Sequence, residues 1–321
     1  MEIVRKVTSS QGKVKIKFGS KLFTNIRKVP QLYVLSILPI LYILIFKYIP
    51  MYGAVIAFQD YVPHKGFFGS DWVGLKHFKN FFNSYEFWKV IKNTLGLSFY
   101  SLLAGFPFPI LLALCLNYVN RSFVKKSVQL ITYAPHFISM VVMMGIIIQL
   151  LDPKTGIVNM IIAQLGFEKI DFFGNPDNFK SLYVWSGIWQ NVGFGCIIYL
   201  AALAAIDPSL HEAAVMDGAS KVQRMRHVDI PGILPVAVIL LILSVGNLMD
   251  VGFEKVLLMQ NPLNLSSSEV IDTYVYKVGL LSTGIKYSYA SAIGLFTSVI
   301  NLILLYTVNK AAKKLGQTSL W

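Results

Sequence analysis

HEAAVMDGASKVQRMRHVDIP, residues 211–231, carries charges of both signs and lies between two of the most apolar stretches in the chain. Its residue types are compatible with a helix. The neighbouring runs, 183–206 and 233–252, are each long enough to cross a hydrocarbon core of about 30 Å at about 1.5 Å per helical residue. We therefore predict that the segment is a helical surface loop between two membrane helices.

The apolar residues of the chain come in six runs of spanning length. Of the 321 residues, 55% are hydrophobic and 14% are charged, a composition that soluble domains of this size rarely have. The first run follows a long basic leader and precedes no A-x-A cleavage site, so a membrane helix is favoured over a signal peptide. The sequence thus predicts an all-α membrane protein with six transmembrane helices. The predicted spans are residues 31–50, 95–119, 128–151, 183–206, 233–252 and 288–309.

The net charge of +13 is distributed unevenly between the loops. If the amino terminus is cytoplasmic, the inner segments 1–30, 120–127, 207–232 and 310–321 carry 17 of the 29 Lys and Arg residues but 5 of the 16 acids. This asymmetry follows the positive-inside rule and predicts a multi-pass plasma-membrane protein with both termini in the cytoplasm. Basic residues near spans set topology and contact anionic lipid, so we expect membrane lipid rather than nucleic acid as their partner.

Aromatic residues are concentrated in the predicted outer loop 53–92, which ends in GLKHFKNFFNSYEFWKVI, residues 74–91. The spacing of Phe78, Phe81 and Trp88 predicts a helix at the membrane interface. An aromatic surface that handles sugar is the alternative interpretation.

Local signals predict a helix–turn–helix within 207–232. Pro208 suits the first turn of a helix, and Ser209 with Glu212 matches a capping box. Gly218 is predicted to end this first helix because glycine adopts backbone angles that other residues resist.

A second short helix is predicted at about 219–228, with Pro231 ending it before the return to the membrane. Ala213, Ala214 and Ala219 are small and would let another surface approach closely. From the residues alone, a docking element and a solvated hairpin in which Glu212 merely caps a helix remain equally open.

Three common enzyme motifs are absent from the sequence. It has no G-x-x-x-x-G-K-[ST] loop, no H-E-x-x-H and no G-x-S-x-G. The two cysteines, Cys115 and Cys196, lie in predicted spans and are interpreted as buried apolar side chains, not as a disulfide or metal site. We therefore expect a protein that is not an enzyme and binds no metal or cofactor.

The opening segment resembles the EAA loop of ABC-importer permeases, whose pattern is Glu-Ala-Ala, three residues, Gly, nine residues, two aliphatics one residue apart, and Pro. Met225 stands where an aromatic residue is common in that family, and Asp229 where Thr or Ser is common. The matching positions are Glu212, Ala213, Ala214, Gly218, Val228, Ile230 and Pro231.

Other stretches in the same order resemble sugar permeases of the LplB group, including KYIPMYGAVIAFQDY (47–61), YAPHFIS (133–139) and VGFEKVLLMQNP (251–262). With the six spans, they identify the chain as similar to the permease subunit of a carbohydrate ABC importer with the type I importer fold. The resemblance implies oligosaccharides from polysaccharide breakdown as substrate, a class that includes chains with uronic acids.

The resemblance also implies partners. These are a second homologous permease, two ATP-binding subunits that use ATP and Mg²⁺, and an extracytoplasmic lipoprotein that delivers the sugar. The EAA loop would dock on an ATP-binding subunit and drive alternating access. In that docking, Glu212 would make a charged contact and Gly218 would form the turn. Close fit and shape would come from Ala213, Ala214, Ala219, Asp217 and Pro231.

The implied organisation has four segments. They are a basic cytoplasmic amino-terminal segment, 1–30; the first transmembrane helix with an aromatic-rich extracytoplasmic loop, 31–92; a permease core, 93–309, containing the coupling loop 207–232; and a cytoplasmic tail, 310–321.

Polar and aromatic residues in or beside the predicted spans are candidates for the sugar path. Aromatic faces suit sugar rings and amides suit hydroxyls. Interfacial tryptophans and amides that join helices are common, so ordinary packing roles remain open. The candidates are Tyr133, Trp185, Trp189, Gln190, Asn191, Asn247 and Asp250.

Two other functions remain open. One is an ABC permease for a solute other than sugar, which the EAA-like loop alone does not exclude. The other is an ion-coupled secondary transporter, which would need carboxylates or broken helices near mid-membrane. Asp250 is the one acid in a predicted span that fits this second class.

Overall fold

The computed structural model describes residues 30–321 except 283 and 285. Within that part of the chain, five helices are long and apolar enough to cross a membrane, and a bent pair of helices brings the number to six if counted as one span. The predicted all-α membrane architecture is confirmed. The five are Tyr33–Phe58, Glu86–Asn117, Pro176–Ala204, Lys221–Gly246 and Tyr287–Lys314, and the bent pair is Ser122–Phe137 with Met140–Leu151.

The chain divides into two compact units, Met1–Val55 and Ile56–Trp321, and all the sites described below lie in the second. The predicted basic segment 1–30 lies outside the described residues apart from Pro30. The α-helices are Pro30–Ile43, Ile49–Met51, Gly66–Gly69, Lys76–Phe82, Glu86–Gly105, Pro107–Asn117, Ser122–Tyr133, Met140–Leu151, Ile157–Gln164, Pro176–Ala204, Pro208–Met216, Lys221–Arg224, Ile230–Gly246, Phe253–Met259, Leu265–Ser268, Ile271–Tyr276 and Tyr287–Lys314.

Shorter elements join these helices. Strands Gln59–Asp60 and Asp71–Trp72 form a small antiparallel pair. Tyr52–Phe58 and Ala134–Phe137 are 3₁₀ turns. Wider, π-helical turns occur at Leu44–Tyr48, Met225–Asp229 and Lys277–Leu281.

The π turn Met225–Asp229 joins Lys221–Arg224 to Ile230–Gly246 without a break. Proline cannot donate a backbone hydrogen bond and its ring crowds the preceding turn, so a wider turn before Pro231 relieves the crowding. Pro231 therefore lies in the first turn of a continuing helix. The prediction that Pro231 ends the second helix of the loop is wrong.

The run 128–151, predicted as one span, lies in two helices that meet at 102°. Pro135 lies in the 3₁₀ turn between them, where a regular helix would need its missing N–H. Ser139 then starts the next helix, because its side chain accepts a hydrogen bond from the backbone N–H of Val142 at 3.4 Å.

The Pro176–Ala204 helix packs against neighbours on several sides, among them Glu86–Gly105, Pro107–Asn117, Ser122–Tyr133 and Ile230–Gly246. It approaches Ser122–Tyr133 closely at Gly193, where an added Cβ would overlap the carbonyl group of Thr132. Glycine at this position lets the two helix backbones come together.

The helix predicted over 74–91 is interrupted: Lys76–Phe82 ends before a second helix begins at Glu86. Phe81 is 1% exposed and packs edge-on against Phe87, with ring centroids 5.0 Å apart. Trp88 is 65% exposed. Phe81, which was predicted to lie on the interfacial helix, is therefore part of the protein core, whereas Trp88 remains at the surface.

Candidate functional site

Residues 207–232 form the predicted helix–turn–helix, but the residue that caps the first helix differs from the predicted one. The first helix is Pro208–Met216, and Oδ1 of Asp207 accepts a hydrogen bond from the backbone N–H of Ser209 at 2.9 Å. That bond holds the pKa of Asp207 below its ordinary value. The predicted capping box of Ser209 with Glu212 is therefore wrong, since Asp207 takes the capping role.

A capping box forms instead at the second helix. The Ser220 N–H donates to Gln223 Oε1 at 2.7 Å, and the Gln223 N–H donates to Ser220 Oγ at 3.4 Å. Side chains thus cap the amino-terminal ends of both helices, which makes the segment a folded element rather than a linker.

Gly218 forms the turn, as predicted, with φ +77°. Its N–H donates to the Val215 carbonyl at 3.0 Å, and the Ala219 N–H reaches back to the Ala214 carbonyl at 2.9 Å. This pattern closes a helix at a left-handed residue, a conformation that glycine adopts without strain.

The tip of this segment is exposed and partly apolar. Glu212 and Asp217 are exposed, and Met216, one helical turn after Glu212, is 87% exposed. Val222, across the turn, is 72% exposed. Exposed apolar side chains beside charges are typical of a protein–protein contact. Of the other candidates, Ala213 and Pro231 are exposed, and Ala214 and Ala219 are half-buried.

A cavity of about 890 Å³ lies between the helices that this segment connects. The Pro176–Ala204 helix contributes Gln190 and Asn191 to its wall, and Asn247 and Asp250 line it from beyond the Ile230–Gly246 helix. Four of the seven candidates for the sugar path thus face one space.

The three amides of this cavity are held by backbone carbonyls. Gln190 Nε2 donates to Ile138 O at 3.1 Å, and Asn191 Nδ2 donates to Gly187 O at 3.1 Å. Asn247 Nδ2 donates to its own helix in the same way, at 3.0 Å. The cavity wall therefore presents amides in fixed orientations, which suits the recognition of a polar solute.

The other three candidates do not line this cavity. Trp185 Nε1 donates to the hydroxyl of Tyr100 at 3.1 Å, and Trp189 is half exposed. Tyr133 packs in the core, where its hydroxyl lies 3.8 Å from Cys196 Sγ. Cys196 is buried as predicted, but Cys115 is exposed.

Lys255 was not predicted as a site residue, although it lines the cavity. It is 4% exposed, and its Nζ donates to Tyr183 O at 2.7 Å and lies 4.4 Å from the centre of that ring. Burial lowers the pKa of Lys255 to about 7. Asp250 accepts from the Gly252 N–H at 3.3 Å instead of pairing with this amine. No sequence pattern marks such burial, because it arises between distant segments.

Asp250 also borders a second cavity of about 510 Å³, together with Asp272. Burial, with a contribution from the Asp250 charge, raises the pKa of Asp272 to about 6. Among the described residues there is no group of three or more His, Cys, Asp or Glu side chains that could hold a metal ion.

Residues 105–315 match the family described as the inner membrane component of binding-protein-dependent transport systems. The chain belongs to this family. Family members are permease subunits, so the expectation of a transport subunit rather than an enzyme is confirmed.

Individual relatives are similar in sequence along almost the full length of the chain. Protein LplB of Bacillus subtilis (strain 168) is 44% identical over 303 residues, which cover 94% of this chain and 95% of that protein. The polygalacturonan/rhamnogalacturonan transport system permease protein YteP of the same organism is 45% identical over 298 residues, covering 92% of each. The resemblance to LplB-type permeases is thereby confirmed.

Among solved structures, a chain of the bacterial alginate ABC transporter in complex with alginate pentasaccharide-bound periplasmic protein matches with a TM-score of 0.85. It is 38% identical and covers 94% of this chain and 100% of that chain. The predicted importer permease fold is confirmed, and the chain is a multi-pass membrane protein.

Proposed function

We propose that this chain is the permease subunit of an ATP-driven importer of oligosaccharides. It would pair with a second homologous permease, two ATP-binding subunits that use ATP and Mg²⁺, and an extracytoplasmic lipoprotein that delivers the sugar. In this arrangement the segment 207–232 and both termini lie on the cytoplasmic side of the plasma membrane.

One observation carries the proposal. The exposed, capped segment 207–232 directly joins two helices that wall the 890 Å³ cavity, Pro176–Ala204 and Ile230–Gly246. A partner that moves this segment therefore moves both walls of the cavity. Such a rigid connection is what alternating access requires of a lever.

The tip of the segment supports docking on an ATP-binding subunit. Glu212 and Met216 lie one turn apart, so one helix face offers a charge and an exposed apolar side chain. Glu212 would make a charged contact, and Gly218 would keep the tip compact. Ala213, Ala214 and Ala219 would permit the close approach, with Asp217 and Pro231 maintaining the shape.

The proposed substrate is an oligosaccharide, including chains that carry uronic acids. The amide-lined cavity suits hydroxyl-rich solutes. The named substrates of similar proteins, polygalacturonan or rhamnogalacturonan and alginate, support acidic sugars in particular. A permease of the same family for another class of solute is the alternative.

The test is reconstitution of the chain in lipid with its neighbouring permease, a candidate ATP-binding subunit and the binding protein. ATP hydrolysis would be measured with binding protein loaded from a panel of acidic and neutral oligosaccharides. We expect acidic sugars to stimulate ATP hydrolysis. Glu212→Arg should reduce that stimulation by about tenfold or more, which corresponds to the free energy of one charge-assisted contact.

Glu168→Arg is the matched control, because it makes the same change at an exposed glutamate outside the coupling segment. It should behave like the unaltered protein. Full stimulation in a stably assembled Glu212→Arg complex would contradict the coupling role. Stimulation by neutral oligosaccharides alone would contradict the expected preference for acidic sugars, and stimulation only by a non-sugar solute would contradict an oligosaccharide substrate.

A further inference from the structure

Asp229 is a fully buried acid at the point where the coupling segment enters the membrane helix. It is 0% exposed and is the last residue of the π turn Met225–Asp229. A carboxylate at such depth is costly unless it is hydrogen-bonded and paired with opposite charge. Its neighbours therefore indicate what holds it there.

One side chain from a distant part of the chain and one from the coupling segment itself reach this carboxylate. The Tyr118 hydroxyl donates to Asp229 Oδ2 at 2.6 Å, and His211 Nε2 lies 3.2 Å from Oδ1. Burial, followed by the contact with Asp229, raises the pKa of Tyr118 to about 12, so this hydroxyl stays a donor at physiological pH.

Arg224 brings positive charge close to Tyr118. Its guanidinium carbon lies 5.8 Å from the centre of the Tyr118 ring. Within the described part of the chain, Arg224 Nε and Asp229 Oδ1 are both buried without an aligned hydrogen-bond partner. The Asp229 carboxylate is thus held by one short hydrogen bond from Tyr118 and by the nearby His211 ring.

The three contacting residues belong to separate elements. Tyr118 directly follows the Pro107–Asn117 helix, and His211 lies on Pro208–Met216, next to Glu212. Asp229 directly precedes the helix that begins at Ile230. The cluster therefore fixes the angle between the first helix of the coupling segment and the membrane helices.

We propose that Asp229, with Tyr118 and His211, is a latch that holds the coupling helix Pro208–Met216 in register with the membrane helices. Through this latch, movement of Glu212 is transmitted to the cavity walls. Asp229 is a positioning residue, since it is fully buried and is not among the residues that line the 890 Å³ cavity. The inference rests on the proposed coupling function of the segment.

The experiment compares three variants in the assembled, reconstituted importer. Asp229→Ala removes the latch, Asp229→Asn keeps an oxygen that accepts from Tyr118, and Tyr118→Phe deletes a single hydroxyl. Tyr306→Phe is the matched control, because it makes the same deletion at an exposed tyrosine. Two quantities are measured: hydrogen exchange of the amides in 208–216, and sugar transported per ATP hydrolysed.

We expect Asp229→Ala to increase exchange in 208–216 and to lower the sugar-to-ATP ratio by about tenfold or more, as loss of a charged hydrogen bond implies. Tyr118→Phe should change both quantities in the same direction by a smaller factor, and Asp229→Asn should retain most of both. If these residues were needed only for folding, their replacement would reduce assembly of the importer and leave the sugar-to-ATP ratio unchanged. If Asp229→Ala does not assemble, Tyr118→Phe still decides the outcome.

Unchanged exchange in 208–216 in both Asp229→Ala and Tyr118→Phe would overturn the latch. Faster exchange with an unchanged sugar-to-ATP ratio, in a system where Glu212→Arg uncouples, would overturn its coupling role and leave the proposed function intact. If Glu212→Arg itself leaves coupling intact, the proposed function of the segment fails, and the inference fails with it.

Discussion

The Lys255 amine is almost completely buried. It contacts the carbonyl and the ring of Tyr183, and burial lowers its pKa from 10.5 to about 7. In the unfolded chain the amine keeps its proton up to its ordinary pKa. Between these two values the unfolded chain binds more protons, so stability increases as pH rises from 7 towards 10.5.

Replacement of Lys255 by Met should remove this pH dependence. We expect Lys255→Met to melt at a higher temperature than the unaltered protein near pH 7, with a difference that shrinks as pH rises towards 9.5. A gain of ~1 kcal/mol corresponds to about 2–4 °C in a large domain. Thermal unfolding in one detergent at several pH values measures it, and the exposed Lys79→Met is the control. An unchanged difference across the pH range would contradict the prediction.

At the scale of elements, close helix contacts fix the angles between spans. Gly193 lies where the Pro176–Ala204 helix meets Ser122–Tyr133, and an added Cβ would come within 2.9 Å of Thr132 Cβ besides overlapping its carbonyl. Backbone atoms cannot move aside as a flexible side chain can. The packing of these two helices therefore depends on the absence of a side chain.

Gly193→Ala should destabilise the protein by about 1–3 kcal/mol, the usual cost of overpacking. Gly145→Ala is the matched control, because that helical glycine has nothing within 4 Å of an added Cβ. The control should be neutral or gain up to about 1 kcal/mol from helix propensity. Thermal unfolding of both variants in the same detergent measures the effect. If Gly193→Ala melts at the same temperature as the unaltered protein or at a higher one, the prediction is contradicted, because the two helices then separate at little cost.

At the scale of the whole molecule, the cavity and the coupling segment belong to the same helices. Asn191 lies on the Pro176–Ala204 helix, which leads to the coupling segment, and lines the 890 Å³ cavity. Trp189, two residues earlier on the same helix, does not line it. Residues so close in sequence should therefore affect transport differently.

We expect Asn191→Leu to lower sugar transport by about tenfold, because a lost polar contact is worth ~1.5 kcal/mol, while assembly with the partner subunits is unchanged. Trp189→Leu should transport within about twofold of the unaltered protein. Uptake of labelled oligosaccharide into proteoliposomes measures both. Equal losses in the two variants would indicate that the sugar path does not follow this cavity.

Local features of this protein could be predicted from its sequence. Apolar runs of spanning length predict membrane helices because lipid leaves the backbone no other partner. The turn at Gly218 and the family pattern around Glu212 depend on neighbouring residues, so they too could be predicted. The kink at Pro135 could be predicted as well, because proline lacks the N–H that a regular helix needs, but its size could not. The capping residue was missed, because several nearby residues could satisfy the same backbone groups.

Which side chains meet depends on how the helices pack in three dimensions. Trp185 and Gln190 were equal candidates in sequence, yet only Gln190 lines the cavity, since the rotation of a helix is set by its packing partners. The burial of Lys255 and the contact of Asp229 with Tyr118, 111 residues away, arise in the same way. The energy of a buried charge depends on groups that the chain brings together only when it folds, and spacing along the sequence does not record them.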